Sequence, residues 1–303
     1  MPQIIRCSPE VTQALADNTP IVAMESTIFS NLGLPSPANG EALLRCIAAV
    51  RAQGAVPAVT AVLDGVARVG IDEREHDRIL GAGRKVAERD VAVAVAQRWE
   101  FGATTVSASV MLAHKAGVKV FATGGIGGVH RGAELTGDIS ADLDALANHP
   151  VVTVCAGAKA FLDLPRTLEY LETYGVPVLG WQHDWFPAFY SRSSGLPIPH
   201  RVEAAHEVAD VFANRSRPSV GVLLTAPIPA ADEIDPVGLD AVLQSALADC
   251  DAAGIMGAAI TPFVLGRIGA ATAGRSIPAN LALAENNASV AAQVAVAIAR
   301  LDR

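Results

Sequence analysis

Basic clusters, paired cysteines and a long apolar leader are all missing from this chain of 303 residues, and each absence removes a class of function. Lysine and arginine total 23 against 31 aspartates and glutamates, a formal net charge of -8. A chain so balanced, with no run of Lys and Arg, lacks the positive field that draws nucleic acid or an anionic membrane. The four cysteines, Cys7, Cys46, Cys155 and Cys250, lie far apart and form no CxxC pair. They are too few for a disulfide framework and fit a reducing cytoplasm. The N-terminal MPQIIRCSPEV has no apolar signal core, and the apolar tail is interrupted by Gln293. The expected protein is soluble, with a small molecule or another copy of itself as partner.

Chemical motifs are thinned out in the same way. There is no GxSxG elbow, no Walker loop and no His/Cys group with zinc spacing, which argues against acyl transfer, P-loop chemistry and a zinc site. Aromatics make up only 5% of the chain. Lysine occurs four times, as Lys85, Lys115, Lys119 and Lys159. Lys115 and Lys119 flank a helix-to-strand junction and read as a solvated helix end. Lys85 and Lys159 are less easily set aside.

What is present is an alternation of two patterns. Short β-rich apolar runs lie at 20–25, 55–63, 118–123, 151–156, 176–181 and 219–226, and longer helical segments at 39–54, 104–117, 140–149, 201–215 and 286–301. Strand and helix in turn predict a three-layer α/β/α fold around a mixed, largely parallel sheet. Asp64-Gly65 is a hairpin signal, so part of the sheet is expected to be antiparallel. No linker or repeat divides residues 1–303, which predicts one domain. In such sheets ligands gather beyond the carboxyl ends of the strands. Attention therefore falls on Glu25-Ser26-Thr27, on Gly124 to Gly128 and on Ala156 to Lys159.

Each candidate has a functional and a structural reading. The glycines of ATGGIGGVHRG suit a backbone cradle for an anion, or a tight turn needing positive φ. Asp138 and Asp142, four apart, could share a helix face and meet one hard cation, Mg²⁺ or Mn²⁺; with Ser140 they read equally as helix capping. Glu25 ends an apolar run where burial raises a carboxyl pKa toward acid/base duty, or is a buried structural glutamate. Lys85 suits a phosphate contact or a charged helix start. Lys159, in a small-residue turn, fits a neutral amine forming a Schiff base with a carbonyl, or a lysine reaching out to solvent.

Taken in order, the motifs MESTIFS, LDGVARVG, RKVAERD, GATTVSASVMLAHKAGVKVFATGGIGGVHRG, DISADLDAL, VCAGAKAFLDLPRTLEYLET, FPAFYSRSSG and NLALAENNA closely resemble the pseudouridine-5'-phosphate glycosidases, the indigoidine synthase A-like family. The resemblance spans nearly the whole chain. It implies reversible cleavage of the C–C glycosidic bond of pseudouridine 5'-phosphate to uracil and ribose 5-phosphate. By this resemblance Lys159 is the Schiff-base nucleophile and Glu25 the proton donor. Lys85, Val106 and the Ser140-Ala141-Asp142 segment contact substrate, Asp138 holds Mn²⁺ or another divalent ion, and His130 and Asn287 occupy polar active-site positions. A homotrimer is expected on the same ground.

One stretch departs from the family pattern. After Glu25 the family commonly reads STIISHGMPYPQN, where this chain has STIFSNLGLPSPAN, with one extra residue, Asn31 for histidine and Ser36 for tyrosine. Two other readings use the same residues: a Schiff-base aldolase or lyase on another sugar phosphate, and a catalytically silent phosphosugar-binding protein. The family's second name adds an accessory role in pigment biosynthesis.

Overall fold

The computed structural model describes residues 5–255, 260–272 and 274–301. Its strands are β1 (Ile5–Cys7), β2 (Ile21–Met24), β3 (Val56–Leu63), β4 (Val66–Val69), β5 (Lys85–Val86), β6 (Phe101–Thr104), β7 (Val120–Ala122), β8 (Val152–Cys155), β9 (Val178–Trp181), β10 (His200–Val202) and β11 (Val222–Thr225). A parallel sheet runs β3-β2-β7-β8-β11-β9-β10. The sequences IVAM, VTVC and VLLT of β2, β8 and β11 are buried at every position, as expected for strands covered by helices on both faces.

β3 belongs to two ladders. Its first half, Val56 to Val59, pairs with β2, and its second half leaves the parallel sheet to run antiparallel between β4 and β6. The β3–β4 hairpin turns at Asp64 and Gly65, whose φ angles of 52° and 72° are the pair of left-handed conformations a two-residue hairpin needs. The expected antiparallel component is therefore present.

Helices cover both faces. The C-terminal helix Ser276–Leu301 packs with Ala38–Ala52 over β2, β7 and β8; Val106–Ala116 lies against β1, β4, β2 and β7, beside Glu88–Ala96 and Ala141–Asn148. By length and composition Ser276–Leu301 is apolar enough to cross a membrane, but 61% of its apolar window is buried inside the protein. It is the central helix of one layer. The alternation read from the sequence thus gives the three-layer α/β/α arrangement, with one continuous hydrophobic core. Cys46, Cys155 and Cys250 are buried and Cys7 is half-buried.

Several boundaries differ from expectation. Residues 201–215, expected to be helical throughout, begin as β10, and the helix proper is Ala205–Ala213. The helix expected from 104 starts at Val106, because Phe101–Thr104 is spent on β6. Lys85 sits on β5, not at a helix start. These strands are two to four residues long, too short for a period-2 pattern to register.

Candidate active site

β2, β7 and β8 are parallel neighbours, so their carboxyl ends open on the same side. The chain leaves β2 toward β3 on one side and leaves β7 toward β8 on the other; the order of the sheet reverses between β2 and β7. That reversal splays the following segments apart and leaves a crevice for a ligand. Glu25, the loop from Thr123 to Val129, and the turn from Ala156 to Lys159 all leave the sheet there.

Glu25 is only 8% exposed. Its Oε1 accepts a short hydrogen bond from the Thr123 hydroxyl. Burial pushes the Glu25 pKa up to about 7; the Thr123 hydrogen bond and the charges of Lys159 and Lys85 restrain the rise, and the Asp142 charge adds to it. A carboxylic acid in this range is part protonated and part ionised at neutral pH, as a proton carrier must be.

The backbone beside Glu25 is anchored by fully buried hydroxyls. The Thr104 hydroxyl donates to the carbonyl of Thr60 at 2.7 Å and is met by Ser26 Oγ at 3.1 Å and Thr60 Oγ1 at 2.8 Å. Thr60 Oγ1 also lies 3.1 Å from the Met24 carbonyl and 2.8 Å from Ser109 Oγ, and Ser109 donates to the carbonyl of Thr105. This cluster joins the end of β2 to β3, to β6 and to the start of Val106–Ala116. Glu25 follows β2 directly, so the cluster fixes where its carboxyl group points.

The glycine loop folds differently from its expected reading. None of Gly124, Gly125, Gly127 and Gly128 has positive φ. They are small for clearance: a Cβ on Gly127 would strike Ser140, one on Gly128 would strike Thr167, and one on Gly125 would press on the Phe189 ring. Gly157 in the next turn does need the left-handed region, at φ 76°, and a side chain there would run into the Pro187 carbonyl. The two segments are laced together, Ile126 N donating to Gly157 O at 3.1 Å and Lys159 N to Ile126 O at 3.2 Å. The anion held by the loop's backbone is the protein's own. Asp142, 7% exposed, accepts from Gly127 N at 2.8 Å through Oδ2 and from Ser107 N at 3.0 Å through Oδ1.

Lys159, Lys85 and Glu25 converge on one cleft of about 460 Å³, walled by Gly124, Gly125, Phe189 and Asn280. Lys159 is half-buried, not sealed from water. Burial lowers the Lys85 pKa, and the Lys159 charge lowers it further against the pull of Glu25 and Asp142.

The other expected residues are not in the wall of this cleft, and each is held in its own way. Val106 is buried at the first position of its helix, next to the Ser107 amide that Asp142 holds. Ser140 caps the helix Ala141–Asn148 by accepting from Asp142 N, and Ala141 is exposed. Asp138 precedes that helix in a bridged segment, so Asp138 and Asp142 do not share a helix face as their spacing suggested. Asp138 Oδ2 instead lies 3.8 Å from His130 Nδ1. Burial keeps the His130 pKa below its ordinary value, with the Lys159 charge acting in the same direction and Asp138 opposing. Asn287 is fully buried and donates to the carbonyls of Thr123 and Gly124 at 2.9 and 3.2 Å, bracing the glycine loop from the C-terminal helix.

Thr123, Phe189 and Asn280 escaped the sequence reading. Thr123 has a faint signal, as the first polar residue after the β7 run. Replacing it with valine removes the bond that holds the Glu25 pKa down. The limb of the pH–kcat profile belonging to Glu25 is then expected to move to higher pH; a limb that stays in place would deny Thr123 any tuning role.

Comparison with known proteins bears on the whole chain. A profile of indigoidine synthase A-like proteins matches residues 10–297. A pseudouridine-5'-phosphate glycosidase of Methylobacterium nodulans is 51% identical over 296 residues, covering 96% of this chain and 87% of its own. One of Staphylococcus aureus is 44% identical over 302 residues, covering 98% and 97%. Among solved structures, the prealnumycin C-glycosynthase AlnA in complex with ribulose 5-phosphate superposes with a TM-score of 0.91 at 35% identity, over 100% of this chain and 99% of that one. An indigoidine synthase A-like protein of Thermotoga maritima gives 0.87 at 32%, over 99% and 97%. Sequence and fold agree from end to end: the chain belongs to the indigoidine synthase A-like family.

Proposed function

We propose that this enzyme reversibly cleaves the C–C glycosidic bond of pseudouridine 5'-phosphate, giving uracil and ribose 5-phosphate. The observation that carries this reading is the meeting of an amine, Lys159, with a buried acid of pKa about 7, Glu25, in one cleft. The substrate is the one named in the relatives at 51% and 44% identity. The neighbour named a C-glycosynthase was solved with a five-carbon sugar phosphate.

The chemistry explains why an amine is needed beside the acid. Ordinary glycosidases protonate a departing oxygen that has a lone pair to receive the proton. Here the leaving atom is uracil C5, a ring carbon. Nζ of Lys159 bonds to C1' as the C1'–O4' ring bond breaks, the amine proton passing to the ring oxygen; Glu25 then delivers a proton to C5 and the C1'–C5 bond breaks. Its electrons stay with the pyrimidine, while the nitrogen lone pair forms the C1'=N imine. Water hydrolyses the imine, releasing ribose 5-phosphate and restoring the amine. Lys85, the backbone at Val106 and the Ser140-Ala141-Asp142 segment hold the sugar phosphate, with His130 at the edge. The Asp142 carboxylate is occupied by backbone amides, so that segment meets substrate through its remaining groups.

Asp138 would hold a divalent ion. One partly exposed carboxylate, with no group of three His, Cys, Asp or Glu side chains among the described residues, fits a largely hydrated Mn²⁺ or Mg²⁺ and not a closed cage. When bound, such an ion neutralises phosphate charge. Asp138→Asn is expected to abolish Mn²⁺ binding seen by electron paramagnetic resonance; unchanged binding would put the ion elsewhere.

Incubation with pseudouridine 5'-phosphate should release uracil and ribose 5-phosphate in equal amounts, and the two products should re-form the nucleotide. Failure in both directions overturns the proposal.

A further inference from the structure

Next to the cleft lies a second and larger cavity, of about 830 Å³. The two share a wall made by Leu32, Gly33 and Asn280. The outer cavity is roofed by residues 31 to 35 and floored by the helix Ile260–Ala271, which turns the small residues Gly266, Gly269 and Ala270 toward it. Among the described residues no charged side chain lines it, so nothing in this wall suits a phosphate.

Asn280 stands at the junction and is 6% exposed. Its Nδ2 donates to the Tyr190 hydroxyl at 3.1 Å, while its Oδ1 is buried with no partner among the described residues. Leaving a buried acceptor unmade is costly, and at a cavity wall it calls for a donor from a ligand. The imide N–H groups of a pyrimidine are such donors. Lys85, Lys159 and Glu25 line the inner cleft and suit the sugar phosphate and the reacting carbon. The Asn280 side is left for the far edge of the base. Pockets for drug-sized ligands run to roughly 300–1,000 Å³. The outer cavity reaches that range, well beyond what uracil alone would fill.

We infer that the outer cavity extends the aglycone subsite, so that the enzyme couples ribose 5-phosphate to pyrimidines carrying an apolar group on a ring nitrogen as well as to uracil. The inference rests on the C-glycosidase reading above. In the synthetic direction the pyrimidine C5–H and the C1' hydroxyl are replaced by a C5–C1' bond with loss of one water, and no oxidant or reductant is consumed. Asn280 Oδ1 takes the remaining ring N–H, and the substituent lies under the roof loop against Gly269 and Ala270.

The test offers ribose 5-phosphate with uracil, 1-benzyluracil or 3-benzyluracil, which present the same reacting carbon and differ in bulk. At least one benzyl acceptor is expected to yield a product of the summed mass less water, at a kcat/KM within about tenfold of uracil, since an open apolar pocket discriminates weakly. Coupling of uracil with neither benzyl acceptor reacting overturns the inference and leaves the C-glycosidase reading standing. If uracil itself fails in both directions, that reading falls instead. Gly269→Leu, where a Cβ meets nothing nearer than Ser276 Oγ at 3.8 Å, should lower the benzyl-to-uracil ratio about 100-fold by filling the cavity. Ala270→Leu provides a second filling variant. An unchanged ratio in a folded variant overturns the assignment.

Discussion

Lys159→Ala is expected to lower turnover of pseudouridine 5'-phosphate by about four orders of magnitude or more, because it removes both the covalent intermediate and the positioning it provides. Its fold should survive, since the bond that seats the turn runs from the Lys159 backbone nitrogen to Ile126 O and does not use the side chain. The decisive companion experiment is borohydride trapping with ribose 5-phosphate, which reduces a C1'=N imine to a stable secondary amine. Peptide mass analysis should find the sugar phosphate increment on Lys159. Lys85 makes this a sharp test, as a half-buried amine in the same cleft with its pKa lowered by burial. An increment on Lys85 would move the nucleophile there, and no increment on either would remove the Schiff base from the mechanism.

The second large effect belongs to Glu25. Glu25→Gln keeps the shape and the acceptor for Thr123 but cannot give up a proton, and should cost about 10²- to 10⁴-fold in kcat. If Glu25 acts as the acid in cleavage, wild-type kcat should fall as pH rises through about 7, and the variant should lose that limb. Stability should move the other way. The folded pKa of about 7 lies above the ordinary 4.5. The stability Glu25 contributes is therefore fully present below pH 4.5 and is lost as pH rises through 7. Above that range the ionised, buried carboxylate costs about 3 kcal/mol. The melting temperature of Glu25→Gln should therefore match wild type near pH 4 and exceed it at pH 8. A gap independent of pH would mean that Glu25 is not held against its charge.

Some of this site was legible before folding was considered. Glu25 and Lys159 stand just beyond buried parallel strands, where a polar residue faces the ligand end of the sheet. The Asp64-Gly65 hairpin was readable because turn chemistry is local. What could not be read arises between distant segments. Thr123 matters through a bond to a residue 98 positions away, and Asn280 through an acceptor that no group among the described residues satisfies. The glycine loop was open to misreading because a sequence records that a residue is small, not whether the reason is a dihedral angle or a neighbour. Asp138 and Asp142 failed as a helical pair because the helix begins at Ala141, three residues too late to include both.

The hydroxyl cluster under Glu25 has a consequence for how the enzyme should respond to ionic strength. Ser26, Thr60, Thr104 and Ser109 are neutral dipoles sealed from solvent. Screening by dissolved ions reaches charges near water and leaves such an anchor untouched. Added salt should therefore weaken the hold on the phosphate, raising KM, while leaving the backbone anchor beneath Glu25 in place.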